Sequence, residues 1–366
     1  MKKYALNEIT FMQFIFLIHG IQVGTGIMSL PKDLAEKSGT DGWMSLIIGW
    51  FINIIASYVM IQIFKRFPND TLYDLLNRLF GKWLSLFISI PVTLYFICAV
   101  WLILIRAMLY IKAWFLPQTP DYIVVFLFTI PTFMLARNGL RIMGRYCELV
   151  FYLTAWMPFI LLLVLGDSHW IHLLPLFKEG MMPVVKGLES TIYSIAGLEI
   201  TMIVYPFLKN KQSAMLGIVI ANSITILAYI YVTIICFAFF SPDEITGYNQ
   251  PLLSLLKVIE FRFLERFDMI FLAIYLFIVS TSWIPYMFFA AFSVSQLMRK
   301  QDHTPYVAVL LVLIIAIVFV IHPSWNQADM WSKRVSIYNI GITFVLPLLL
   351  WVYIQFYVRV HKGELH

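Results

Sequence analysis

Residues 20–31 read Gly-Ile-Gln-Val-Gly-Thr-Gly-Ile-Met-Ser-Leu-Pro and lie inside the first apolar segment of the chain. Three glycines, Gly20, Gly24 and Gly26, fall within seven positions, and Pro31 closes the run. Each interior glycine costs a helix about 1 kcal/mol relative to alanine, and proline costs more. Freed backbone groups in hydrocarbon cannot turn to water, so a break there needs protein or a lined cavity around it. The stretch therefore predicts a helix interrupted at mid-membrane, of the kind that turns backbone N–H and C=O groups toward a small substrate. Gly20-xxx-Gly24 also fits a small-xxx-small helix contact, so span one alone leaves packing as a second reading.

Composition sets the surroundings of that break. Of 366 residues, 61% are hydrophobic and 13% charged, with a mean hydropathy of +0.84. Soluble domains carry roughly 25% charged residues, so the chain is a polytopic membrane protein. The apolar run after Met1–Ala5 continues without a small-residue cleavage site, which argues against a cleaved signal peptide. Cys98, Cys147 and Cys236 form neither a disulfide framework nor a CxxC pair.

Segments of about 20 mainly apolar residues are the signature of spanning helices. Ten appear, near 9–30, 42–64, 84–111, 120–136, 143–165, 184–208, 214–240, 268–298, 304–322 and 335–358. With a cytoplasmic N-terminus, the inner segments, including Lys2, Lys3, Arg359, Lys362 and Glu364, carry fifteen basic residues against five acids. The outer segments carry ten against twelve. This bias follows the positive-inside rule and places both termini in the cytoplasm.

Ten spans divide into halves of five, residues 1–166 and 184–360, and an odd number makes a tandem copy enter the membrane inverted. Span six then repeats the oddity of span one. Residues 190–199 read Ser-Thr-Ile-Tyr-Ser-Ile-Ala-Gly-Leu-Glu, placing Ala196-Gly197-Leu198 and the carboxylate of Glu199 mid-span. Two interrupted helices in corresponding positions point to a binding site between them. A carboxylate at that depth is costly and needs an interior partner or a proton. Glu199 either holds the unwound segment or a ligand amino group, or caps the second half-helix.

Other polar residues are weaker signals. Arg106 in span three either pairs with Glu199 or Glu189 or snorkels outward. Glu148 beside Arg137, Arg141 and Arg145 is expected in a structural ion pair. Pro251–Arg266 keeps Leu252, Leu255, Leu256, Ile259 and Phe263 at helical spacing between charges, Glu265 among them, which suits an amphipathic helix on the outer surface. His169-xx-His172 lacks cysteines or acids at ligand spacing, so no metal site is expected, nor any cofactor. No GxSxG, HExxH or P-loop is present, and an enzyme is not expected.

Ile-Thr-Phe-Met-Gln-Phe (9–14), Gly24-Thr-Gly-Ile-Met-Ser-Leu-Pro31, Lys-Ser-Gly-Thr-Asp-Gly-Trp (37–43) and Gly197-Leu-Glu199 together resemble the spore germination permeases. These are the B-subunits of nutrient germinant receptors in endospore-forming bacteria, and the resemblance covers essentially the whole chain. It implies membership of the amino acid–polyamine–organocation superfamily. The fold is then all-α, with a LeuT-like five-plus-five inverted repeat of ten helices and helices 1 and 6 interrupted. It further implies the spore inner membrane, two partner subunits (one integral membrane protein, one lipoprotein), and a small-molecule germinant, typically an amino acid. No nucleic acid is expected. In a LeuT-like arrangement span eight packs on span one, so Thr281 and Ser282 of Ser280-Thr281-Ser282 line the ligand or ion site, unless their hydroxyls bond their own helix.

The expected ligand-binding residues are thus Gly24, Thr25, Gly26, Ala196, Gly197, Leu198, Glu199, Thr281 and Ser282. Two functions share that pocket: a ligand-sensing receptor subunit, or a proton- or sodium-coupled amino acid transporter. Span five has no lysine, the residue that takes the sodium position in some proton-coupled relatives. The resemblance favours the receptor.

Overall fold

The computed structural model describes residues 7–178, 180–262 and 266–360, with side chains to residue 357. The expectations placed on Lys2, Lys3, Phe263, Glu265, Lys362, Glu364 and the side chain of Arg359 lie outside these.

Span one begins where Thr10 and Gln13 form a reciprocal cap, each side chain bonded to the other's backbone N–H at 3.3 and 3.1 Å. Helix α1 (Phe11–Val23) stops at Gly24, whose φ of +38° suits glycine, and α2 (Gly26–Ser38) resumes the path. α3 (Gly42–Arg66) follows after one tight turn. Thr71 and Asp74 cap α4 (Leu72–Trp114), a 43-residue helix kinked at Gly81. α5 (Asp121–Ala136) and α6 (Leu140–Thr154) come next, and beyond a turn at Ala155 and Trp156, α7 (Met157–Ile160) and a 3-10 stretch, Leu161–Asp167, finish span five.

The second half opens with α8 (Met182–Ser194), an irregular Ile195–Gly197, a 3-10 turn Leu198–Ile200 and α9 (Thr201–Val204). α10 (Ala214–Phe239), α11 (Glu244–Gly247), α12 (Pro251–Leu256), α13 (Phe267–Leu297) and α14 (Thr304–Val320) follow. α15 (Trp325–Ile340) runs through a π-helical turn, Gly341–Val345, into α16 (Leu346–Val360).

Among the described residues, six continuous helical stretches are long and apolar enough to cross a bilayer, and four shorter apolar helices join them. Two of the four, Phe11–Val23 and Leu198–Phe207, are short because they are pieces of the interrupted spans one and six. Span one sits at the centre. α1 packs on α6, α10 and α13, α2 lies along α8, and only Phe11, Met12 and His19 of α1 are less than fully buried. The outward faces carry exposed Phe51, Ile55, Phe87, Phe126, Val312 and Phe356, as a lipid-facing surface should. Where the chain enters span one and leaves span six, Ile9 N–H bonds Phe207 O at 2.9 Å and Lys209 N–H bonds Ile9 O at 3.2 Å, tying the two interrupted spans together.

The 251–266 segment differs from its sequence pattern. Only Pro251–Leu256 is helical, and Leu252, Leu253, Leu255 and Leu256 are all buried, packed against α2, α10 and α13. The apolar stripe thus closes the bundle beneath the connection instead of lying in the interface.

Candidate functional site

Both breaks leave helix ends without their usual partners. The site is built from those ends. At the first, the carbonyls of Gly20 and Ile21 accept from the Ser282 hydroxyl at 2.8 and 3.2 Å. The Gln22 and Val23 carbonyls lie 3.1 and 3.0 Å from the Tyr229 hydroxyl, and Gly24 O accepts from Tyr275 at 2.6 Å. At the second break, Ser194 O lies 3.0 Å from the same Tyr229 hydroxyl. Gly197 has φ +124°, and a Cβ there would fall 2.5 Å from Ile21 Cγ2, so the second break is pressed against the first. The start of α2, by contrast, has no side-chain cap on its N–H groups.

A cavity of about 90 Å³ lies between the breaks. Gly24, Thr25, Gly26, Ser194 and Ala196 form its backbone-rich wall, with Ala99, Leu102, Ile103 and Val335 opposite. Tyr95, Tyr286 and Asn339 make its floor. Through that floor runs the carboxylate of Glu199, 1% exposed. Its Oε1 accepts from Tyr95 at 2.9 Å and Tyr286 at 2.8 Å. Its Oε2 accepts from Gly197 N–H at 3.0 Å, Thr343 at 3.2 Å and Asn339 at 3.5 Å. The π-helical turn in span ten carries Thr343. Charge-assisted hydrogen bonds are each worth about 1.5–3 kcal/mol, so five donors replace a cationic partner and join spans three, six, eight and ten around one carboxylate.

Above the cavity a second space, about 210 Å³, shares Ser29, Arg106, Tyr193 and Ser336 with it. This vestibule is ringed by charge: Lys32, Asp33, Glu36, Lys37, Glu189 and Lys333. Arg106 sits at the boundary, bonded to Asp329 at 2.6 Å and to Ser332 at 3.3 Å. The expected pairing of Arg106 with Glu199 or Glu189 therefore does not hold, and its head turns instead toward the vestibule. Its partner is Asp329, while Glu189 pairs with Lys37 at 2.9 Å. Glu148 makes no ion pair among the described residues, and no cluster of three metal-ligating side chains occurs among them.

Of the expected site residues, Gly24, Thr25, Gly26 and Ala196 line the cavity; Gly197, Leu198 and Glu199 stand directly behind it. Ser282 holds the end of α1. Thr281 donates to Ile278 O at 2.6 Å and faces a different, apolar cavity behind span one.

A family model described as "Spore germination protein" matches residues 8–328. The chain belongs to the spore germination protein family. Among its relatives, Bacillus subtilis spore germination protein A2 is 28% identical over 95% of this chain and 96% of its own length. Spore germination protein YndE of the same organism is 27% identical over 94% and 96%. GerQB of Bacillus cereus is 23% identical over 91% and 92%. In fold the chain is similar to the transporter MhsT, solved with L-phenylalanine, at a TM-score of 0.64 and 11% identity over 94% of this chain and 98% of that one. A Na+-coupled sialic acid symporter matches at 0.64 and 12%, over 92% and 77%. This spore germination protein is thus a multi-pass membrane subunit of germinant-receptor type on a LeuT-like transporter scaffold, a family and fold of permeases.

Sequence reasoning passed over Tyr95, Tyr229, Tyr286, Gln22, Asn222, Asn339 and Thr343. Gln22 donates to Asn222 Oδ1 at 2.5 Å and accepts from Thr225 at 3.0 Å, so the Gln22 amide joins span one to span seven, while the Asn222 Nδ2 has no partner among the described residues. The lone amides Gln22, Asn222 and Asn339 in apolar spans were a usable signal, since an amide there must find a partner. The tyrosines were not, because their apolar bodies fit a lipid-facing or a core position equally.

Proposed function

We propose that the cavity between the two breaks takes the free amino and carboxyl groups of a small amino acid, and that this chain senses it as a spore germinant. One observation carries the reading. The uncapped N-terminus of α2, a partial positive charge, and the C-terminus of α8, a partial negative one, meet at a cavity of amino acid dimensions. A zwitterion matches both ends at once. Gly24, Thr25, Gly26, Ala196 and the residues behind them, Gly197, Leu198 and Glu199, shape its backbone end; Ala99, Leu102, Ile103 and Val335 meet its side chain. Ser282 acts indirectly, by holding the end of α1, whereas Thr281 bonds its own helix and contributes no contact to the ligand.

Sensing is favoured over ion-coupled transport because the carbonyls at the end of α1 already have hydroxyl donors. Binding shifts the balance between two arrangements of spans one and six by no more than the ligand's difference in affinity for them. Two partner subunits, one integral and one a lipoprotein, receive that shift. The chain sits in the spore inner membrane with both termini cytoplasmic and the vestibule outward, and the halves 1–166 and 184–360 are inverted copies.

The test is an amino acid binding panel on the purified chain, repeated with Gly26→Trp, whose Cβ would fall 2.9 Å from the Tyr229 hydroxyl and so push the two backbone walls of the cavity out of place. Binding lost in Gly26→Trp at normal protein levels is the expected result; binding retained would misplace the pocket. Uptake into proteoliposomes, measured beside germination of spores lacking the protein, separates the two functions. Concentrative uptake without a germination defect would establish the transporter instead.

A further inference from the structure

A cavity of about 250 Å³, larger than the one between the breaks, lies on the opposite face of span one. Gly20, Val23 and Ile27 form its inner wall, on both sides of the break, and Val150, Leu161, Ala228, Val232 and Phe271 the rest. Its polar side chains are turned into the protein. Thr154 donates to Val150 O at 2.7 Å, Thr281 to Ile278 O at 2.6 Å, and Tyr275 to Gly24 O at 2.6 Å. His19 Nδ1 is 2.9 Å from Thr225 Oγ1. What remains is a surface of carbon, unsuited to a zwitterion or to ordered water.

The mouth of this cavity faces the bilayer. α6 packs on α1 and α13, whereas span five meets span seven mainly at its far end, past residue 160. The gap between them is rimmed by Ala155 and Pro158, both exposed, and bridged by Tyr231 donating to Pro158 O at 2.9 Å. Exposed Leu153, Phe159, Leu162 and Leu227 continue the rim onto the lipid-facing surface. Phe16 stacked on Phe151 at 4.2 Å, with Tyr152 beside them, closes the lower end.

We infer that this cavity is a binding site for the acyl chain of a bilayer lipid, entering between spans five and seven. The cavity is apolar, its opening is continuous with the hydrocarbon layer, and acyl chains are the most abundant apolar groups there. A chain lodged in it packs against Gly20, Val23 and Ile27, and so braces the broken helix on the side away from the germinant cavity. The inference stands apart from the identity of the germinant.

The experiment uses the full chain in nanodiscs of phosphatidylglycerol doped with the same lipid bearing a mid-chain diazirine, with photolabelled peptides mapped by mass spectrometry. Several-fold more label is expected on the peptides holding Phe16, Val150 and Phe151 than on the lipid-facing Val309 and Val312 of α14. Ala228→Trp, which fills the cavity, is expected to bring the two to parity; Ile278→Trp serves if that variant fails to elute as a folded protein. Equal labelling in the wild-type chain would overturn the site, and so would a filled variant that labels unchanged. Displacement of the label by a free hydrocarbon such as decane, but not by excess unlabelled lipid, would overturn the choice of occupant.

Discussion

The Tyr229 hydroxyl lies 3.0 Å from the carbonyl of Ser194, the last residue of α8, and the same oxygen reaches the last two carbonyls of α1. Two helix C-termini, each carrying partial negative charge, thus converge on one phenol from span seven. A hydroxyl has one proton, so its donation is shared among three acceptors, and the phenol fixes the distance between the breaks. Tyr229→Phe keeps the ring and removes that proton. Buried acceptors left unpaired cost about 1–3 kcal/mol, so thermal unfolding in detergent should move down by several degrees. Ligand affinity should fall with it, because the backbone wall of the cavity loses its brace. An unchanged unfolding temperature would mean that the carbonyls find other donors.

Glu199 makes a second prediction. Glu199→Gln preserves shape but replaces one acceptor oxygen with a donor facing Gly197 N–H, Thr343 and the Asn339 amide, or Tyr95 and Tyr286 if the amide turns over. The first orientation opposes two donors that cannot accept, Gly197 N–H and the Asn339 amide, and the second forces both phenols to turn and accept. The loss should be about 2–4 kcal/mol, within the range for disrupting a buried charged network, and Glu199→Ala should be worse. Thermal unfolding of the two variants beside wild type gives the order. Glu199→Gln as stable as wild type would indicate a carboxyl already protonated in the fold.

Much of this arrangement was legible in residue types, and the rest was hidden for definite reasons. Gly24, Gly26, Gly197 and Glu199 were readable because glycine and a carboxylate have few reasons to be mid-membrane. Their partners were not, because spans such as α4 and α13 are apolar on every side and so do not announce which face turns inward. Asp329 escaped for a different reason. It lies in what reads as a polar loop before residue 335, but Ser324 and Gln327 form a reciprocal cap that starts α15 ten residues earlier. That places Asp329 on a helix facing Arg106. The buried leucines of α12 misled in the same way, since an amphipathic stripe looks identical whether it covers protein or lipid.

Arg106 and Asp329 separate the vestibule from the inner cavity, and their pairing should control passage more than final affinity. Arg106 is the more buried of the two, its side chain 11% exposed against 54% for Asp329. Asp329→Asn leaves a largely buried guanidinium with weaker partners, so it should speed both ligand association and release while changing the equilibrium constant little. Arg106→Gln should do the same and also loosen Ser332. Stopped-flow binding with the responsive amino acid resolves the rates. Lower affinity with unchanged rates of association would assign Arg106 to the ligand itself and not to the passage above it.

Sodium dependence offers the sharpest division between a sensor and a coupled carrier. A cation at the end of α1 would need oxygens free to coordinate it. From Gly20 to Gly24, each carbonyl instead has a hydroxyl within hydrogen-bond distance: Ser282 for Gly20 and Ile21, Tyr229 for Gln22 and Val23, Tyr275 for Gly24. These hydroxyls do the work of neutralising the helix end without an ion. Replacing sodium by N-methylglucamine should therefore leave the ligand dissociation constant within about twofold, a difference below roughly 0.5 kcal/mol. Removing a donor should not leave a neutral outcome: Ser282→Ala exposes Gly20 O and Ile21 O, and is expected to lower stability in both salts equally. A tenfold weakening without sodium, about 1.4 kcal/mol, would show that the hydroxyls yield to a cation and would return the coupled-transport reading to first place.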